Sequence, residues 1–371
     1  REGMRQSVAF KVVASLSTCI FYFLATFVFT RPVLSLMVIG NSQAELILEE
    51  GQKYMYLMGF IGIQMMISSI LSSSYREIGR VRVILVITLI AAGSNAFLNW
   101  VLIYGHLGMP RLEVQGAAYA TIIAKTVEML LLIGYTIKER PEFISFSVFK
   151  RIDWALFGRI LKKGSLLIIS QMMWVLSESF TAAIYNGRGN AAVVSGMAAS
   201  FSIANLFFIS FDGITTATGV LIGKSLGRNE LDDARKEKTW MLSAAIIFGC
   251  IMCLVGVVTV LLVPVVFGNL SIDAQNICRA MLLLMALFMP LWTFVNTQLA
   301  VCRAGGDTKV GFLVDGGTTA VMIPMLLILA FFTNASPVMM YFGVKALDVG
   351  KIIVATHEMK KERWVVNLSN A

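Results

Sequence analysis

Ten stretches of this chain are long and apolar enough to cross a hydrocarbon core, and that count confines it to a bundle of membrane-spanning helices. Their approximate positions are 8–30, 52–75, 83–104, 114–137, 164–186, 191–223, 239–263, 280–302, 310–332 and 338–356, the last interrupted by Lys345, Asp348 and Lys351. A spanning helix needs about 20 apolar residues. Inside lipid every backbone polar group must be satisfied within the helix or a closed barrel. Of the 371 residues, 57% are hydrophobic and 14% charged, against roughly 25% charged in an average soluble domain. A soluble fold could not cover that much apolar surface.

The net charge of +9 would suit a nucleic-acid partner if it were clustered on one face. It is instead dealt out to alternate loops. Arg76, Arg80 and Arg82 form one basic group, and Lys138, Arg140, Lys150, Arg151, Arg159, Lys162 and Lys163 a second. Lys224, Arg228, Arg235, Lys236 and Lys238 follow, then Arg303 and Lys309, then Lys360, Lys361 and Arg363. Loops between them hold far fewer, chiefly Arg31, Lys53, Arg111 and Arg188. Cytoplasmic loops of membrane proteins carry the excess of Lys and Arg. The expected partner is therefore a lipid bilayer and not nucleic acid, with both ends cytoplasmic in a multi-pass plasma-membrane protein. Loops with Arg76, Lys150, Lys236 and Arg303 should face inward, and Asn41, Arg188 and Asn269 outward. Enzyme chemistry finds little footing. Cys250 and Cys253 sit inside an apolar stretch, His106 and His357 lie in separate loops, and no nucleotide loop, zinc motif or triad appears.

The second half repeats the first at an offset of about 227 residues. Val-Ile-Gly40-Asn41-Ser, an apolar stretch, Arg76-x-x-Gly79-x-x-Arg82 and another apolar stretch are echoed by Val-Phe-Gly268-Asn269-Leu, an apolar stretch, Arg303-x-x-Gly306-x-x-Lys309 and another. Homologous bundles in one chain are the plan of many secondary transporters, with the substrate path between repeats. The expected fold is all-α: an N-terminal lobe 1–137 of four helices, a connecting segment 138–163, a C-terminal lobe 164–356 of six, and a cytoplasmic tail 357–371. The four helices of the first half should match the last four of the second, about an axis along the membrane normal. Spans 164–186 and 191–223 would lack counterparts, so the symmetry implies a truncated chain with a deficit of roughly 65 residues from a twelve-helix whole. In the connector, apolar Phe149, Ile152, Leu156, Ile160 and Leu161 alternate with basic residues. This fits an amphipathic helix on the membrane surface or a solvated linker.

A charge at the bilayer centre costs about 2.5–3.5 kcal/mol on insertion scales, so acids there line a cavity or have a partner. Glu178 lies some 14 residues into its stretch, roughly 20 Å along a helix, with no basic residue three or four positions away. It is read either as a cation-responsive cavity acid or as a static hydrogen-bonded one. Asp212, near mid-membrane, is either functional or paired with a neighbouring helix. Glu128 has Lys125 one turn away, a spacing that lets them neutralise each other. Polar uncharged Gln64, Gln171, Asn205, Asn296 and Gln298 are candidates to line a substrate cavity. Gly219, Gly223 and Gly227, four apart, would permit close helix approach. Asp307 or Thr308 would cap the next helix. Pro290 and Pro324 favour kinks that serve as hinges or shape the packing.

Several segments resemble the multidrug and toxic compound extrusion (MATE) transporters. Thr216-Ala-Thr-Gly-Val-Leu-Ile-Gly-Lys-Ser-Leu-Gly227 with Asp233-Ala-Arg235 is similar to the family signature after the second helix of a lobe. Ala96-Phe-Leu-Asn-Trp-Val-Leu-Ile-Tyr-Gly105, Leu107-Gly-Met-Pro110 and Gly116-Ala-Ala118 look like its fifth-helix region, and Arg303-Ala-Gly-Gly-Asp-Thr-Lys309 like a later loop of bacterial members. The resemblance runs in order along essentially the whole chain. It implies two lobes around a central cavity and export of cationic or amphiphilic small molecules by a monomer. Exchange would be against Na⁺ or H⁺, with no other cofactor. Lipid-linked oligosaccharide flippases share the superfamily and are the nearest alternative; a membrane-embedded enzyme is a distant one. The family often places a glutamate on the helix of Glu178, which implies ion coupling there and a possible Na⁺ site. Asp315 matches an aspartate of similar bacterial members. Some members carry the acid a turn earlier, where this chain has Met173 and Trp174, and an aspartate where Asn296 and Gln298 stand. On this reading Glu178→Gln should severely reduce gradient-driven efflux with folding and membrane insertion largely intact.

Overall fold

The computed structural model describes residues 2–37, 44–141, 152–188 and 191–366, which are helices joined by short turns. The turn at Gly40-Asn41 and the segment around Phe149 and Lys150, where an amphipathic helix is expected, lie outside the described residues. The chain divides into two compact units, Arg1–Gly158 and Arg159–Ala371, with the boundary inside the first turns of one helix.

The first unit holds α1 (Glu2–Phe23), a π-helical turn (Leu24–Val28), α2 (Thr30–Met37), α3 (Ala44–Gly59), α4 (Ile61–Glu77), α5 (Val81–Tyr104) and α6 (Glu113–Glu139). The expected span 52–75 is not straight. It is built from α3 and α4, bent by 44° about Phe60. The Tyr22 hydroxyl on α1 donates to the Met58 carbonyl just before the bend at 2.8 Å, satisfying an acceptor that the broken helix frees. Tyr75, Ile84, Ile87 and Leu132 form a buried core shared by α4, α5 and α6.

The second unit holds α7 (Trp154–Arg188), α8 (Ala191–Gly227), α9 (Leu231–Val266), α10 (Ile272–Ala304), α11 (Lys309–Phe332), α12 (Pro337–Ala346) and α13 (Asp348–Lys360). α10 is its centre, packed on α8, α9 and α13. Closest approach to α9 comes at Gly249, where a Cβ would lie 2.5 Å from the Cα of Pro290. Pro290 therefore serves packing against α9, and α10 continues through it as helix. Among the described residues the close approach expected at Gly219, Gly223 and Gly227 is not found: a Cβ on any of them would meet no described atom within 4 Å. Thr308 stands at the N-cap of α11 without a side-chain capping bond. Ser271 and Ser336 do cap α10 and α12.

Eight described helices are long and apolar enough to cross a membrane, and the bent α3–α4 pair makes a ninth. The tenth expected span, 338–356, is two short helices that meet at Leu347. Lys345, Asp348 and Lys351 flank the break, and these charges are what make a single apolar span unfavourable there.

The repeat is visible in the backbone. α4 and α10 each end in a left-handed glycine, Gly79 (φ +81°) and Gly306 (φ +79°), 227 residues apart. In each turn the glycine N–H donates to the carbonyl three residues back, Arg76 or Arg303, both at 3.0 Å. The next N–H reaches five back, Arg80 to Tyr75 and Asp307 to Cys302, both at 2.9 Å. These are the paired bonds of a Schellman cap, whose left-handed residue is most often glycine. Packing repeats as well: α1 on α4 and α6 on α4 and α5 in the first unit, α9 on α10 and α13 on α10 and α11 in the second.

Candidate functional site

Polar chemistry in the second unit converges where α7, α10, α12 and α13 meet. Glu178 lies in the last third of α7, with no cation on its own turns. The structure supplies one from elsewhere: Lys345 Nζ lies 2.7 Å from Glu178 Oε1. The Glu178 side chain is 30% exposed and that of Lys345 13%. Glu178 thus has a partner that its own helix does not offer. The partner sits on the last turn of α12, immediately before the break at Leu347.

Rings enclose the ammonium. Lys345 Nζ is 5.7 Å from the centroid of Trp292 on α10 and 5.5 Å from that of Tyr341 on α12, within the range over which a ring face attracts a cation. Trp292 in turn donates its indole N–H to Asp348 Oδ2 at 2.8 Å. Asp348 is 5% exposed, and its other oxygen lies 3.1 Å from Lys351 Nζ. Two carboxylates and two ammonium groups therefore balance in one network across the α12–α13 break. Phe288 stacks on Trp292 at 5.7 Å and Tyr185 stands 6.4 Å from Tyr341. The Tyr185 hydroxyl is buried without a hydrogen-bond partner among the described residues.

The remaining candidates scatter. Asp315 on α11 accepts from Ser170 Oγ at 2.7 Å and lies within electrostatic reach of Arg303. Ser170 is eight residues before Glu178 on α7, about 12 Å along a helix, so Asp315 belongs to a separate level. Asp212 is exposed on α8, and its carboxylate has no ion pair among the described residues. Gln171 and Asn205 are exposed too. Asn296 turns back to donate to the Trp292 carbonyl at 2.9 Å. Gln298 is fully buried and donates to Thr356 at 2.8 Å, its own oxygen left without a partner.

In the first unit Gln64 donates to Thr126 at 3.0 Å. Glu128 and Lys125 pair at 2.8 Å, as their spacing requires. The pair borders a cleft of about 290 Å³ lined by Ser68, Ser72, Arg76 and Thr88 among others. The sequence reading passed over Trp292, Tyr341, Tyr185 and Asp348, which make up the rest of this network. One signal was in view: three charges inside an apolar stretch each demand a partner.

Both units are bundles of membrane-length helices, and they share a turn motif. The MatE family model matches residues 1–101 and 167–338, and the chain belongs to that family. A probable multidrug resistance protein NorM of Mesorhizobium japonicum is 26% identical over 291 residues, covering 75% of this chain and 61% of the relative. The chain thus spans about three-fifths of the length of that curated relative. A mutant of the Vibrio cholerae MATE transporter VcmN matches with a TM-score of 0.74 at 16% identity, over 96% of this chain and 79% of that one. A multidrug resistance MATE family transporter of the MOP superfamily, solved in an inward-facing conformation, matches with a TM-score of 0.72 at 16% identity, with coverage of 96% and 79%. At those identities the structural matches speak for the fold.

Proposed function

We propose that this protein is an ion-coupled multidrug efflux transporter of the cytoplasmic membrane, exporting cationic or amphiphilic compounds by alternating access between two lobes. The observation that carries this reading is Glu178, a carboxylate in the last third of α7 that, among the described residues, is held by a lysine ammonium from another helix. A titratable acid inside a spanning helix is costly unless it serves a site. An entering Na⁺ or proton would compete with Lys345 for the carboxylate, and the competition can move the protein only if it differs between states. The multidrug resistance name of the Mesorhizobium relative supports the substrate class, and the inward-facing conformation of the MATE family transporter supports alternating access.

The flippase alternative needs free cations for an anionic headgroup. Lys125 and Lys345 are both committed to carboxylates, which favours the exporter.

The test is ethidium efflux from vesicles with an imposed Na⁺ or H⁺ gradient, at matched expression. Wild type should extrude the dye under at least one gradient, and Glu178→Gln should reduce efflux at least ten-fold. Gradient-driven efflux by Glu178→Gln at the wild-type rate would remove the residue from the mechanism. Dye movement by wild type under neither gradient would overturn the exporter reading.

A further inference from the structure

Resting on that reading, we infer that Lys345 is a tethered stand-in for the transported cation. Its ammonium occupies a cage made by Glu178, Trp292 and Tyr341, and an organic ammonium enters that cage by displacing it toward Asp348.

A carboxylate at 2.7 Å and two aromatic faces within 6 Å are the recognition set for an ammonium of any origin. Nothing in that set distinguishes a lysine head from the head of a ligand. Lys345 reaches the cage on a flexible four-carbon stem, from the last turn of a helix that ends one residue later. Asp348 opens α13 three residues on, across the break. Asp348 already holds one ammonium there, Lys351 Nζ at 3.1 Å, and is the carboxylate the displaced head moves toward.

A purely structural ion pair would not require the rest of the arrangement. Tyr185 is 1% exposed and its hydroxyl lacks a partner among the described residues, although it lies within the field of both Lys345 and Glu178. A buried phenol left unsatisfied beside a charged cage points to a ligand that supplies the missing partner. Tethering also gives selectivity: neutral molecules cannot dislodge the ammonium, because they would leave Glu178 charged and unpaired. Cations can.

The experiment is equilibrium binding of n-butylammonium, a free copy of the lysine side chain's head and stem, to the full chain in detergent. Removing a competitor that fills the cage most of the time raises apparent affinity by the inverse of the free fraction. Lys345→Met should bind the probe at least five-fold more tightly than wild type. Lys345→Met with Glu178→Gln should lose that gain. Asp348→Asn, which removes the acceptor for the displaced head but keeps Lys345 in place, should bind more weakly than wild type. Lys345→Gln stands in if the methionine variant does not fold. Equal or weaker binding by the Lys345 variants overturns the inference even where wild type pumps ethidium. Tighter binding upholds it, and a failed efflux assay would then count against gradient-driven export alone.

Discussion

Deleting the Glu178–Lys345 pair one side at a time should cost far more than deleting both sides together. The two side chains are 30% and 13% exposed, so each charge has given up most of its water. Breaking a fully buried pair costs about 3–5 kcal/mol, because the survivor is stranded. Partial solvent access at Glu178 lowers this, and Lys345 keeps two ring faces and Asp348. A cost of about 2 kcal/mol for Glu178→Gln or for Lys345→Met is the consistent estimate. For a unit of this size that lowers the unfolding midpoint by roughly 4–8 °C. Glu178→Gln with Lys345→Met leaves no stranded charge and should lie within about 1 kcal/mol of wild type. The assay is thermal unfolding of the four proteins in one detergent, analysed as a double-mutant cycle with an expected coupling of about 3 kcal/mol. Losses that simply add in the double variant would refute the argument, as would single variants that melt with wild type. The same reasoning revises the expectation that Glu178→Gln spares the fold, so efflux by that variant must be read against the amount of folded protein.

Three further outcomes are expected. A Cβ on Gly305 would fall on the carbonyl oxygen of buried Trp364; Gly305→Ala should cost about 1–3 kcal/mol and speed trypsin cleavage at Lys360, Lys361 or Arg363, and unchanged protection would count against the docked C-terminal segment. Glu128→Gln strands a lysine that is 37% exposed, so it should lower the melting point slightly, by about 1 kcal/mol or less, while ethidium efflux per folded molecule stays near wild type; efflux lost at full stability would move Glu128 into the transport site. Cysteines placed singly at 236 and 269 in a cysteine-free background should react with an impermeant maleimide from inside and outside respectively, as basic cytoplasmic loops require, and labelling of position 236 from outside would sink the topology.

What could be read from the sequence and what could not separate by the range of the interaction. Hydropathy reports on single helices, so the long apolar spans are legible from composition alone. The turns at Gly79 and Gly306 are legible because a left-handed cap admits little but glycine, and the same residue recurs at the repeat offset. Lys125 and Glu128 are legible because one turn separates them. Lys345 and Glu178 are 167 residues apart, and no local pattern announces that they touch. The glycines show the same limit. Gly219, Gly223 and Gly227 have the spacing for helix contact but no described neighbour within 4 Å, whereas Gly249 has Pro290 against it. Spacing defines a face; only the fold says what lies opposite. The charges at 345, 348 and 351 were visible as interruptions of an apolar stretch, and energetics already required partners for them. Glu178 raised the complementary demand from the other end. Two unsatisfied demands of opposite sign, both in membrane segments of the same lobe, have an inexpensive joint solution: each is the other's partner. Matching intramembrane charges by sign and depth across a lobe, before assigning any of them to an ion, would have brought Lys345 to Glu178 from the sequence and left Asp348 as the acid to explain.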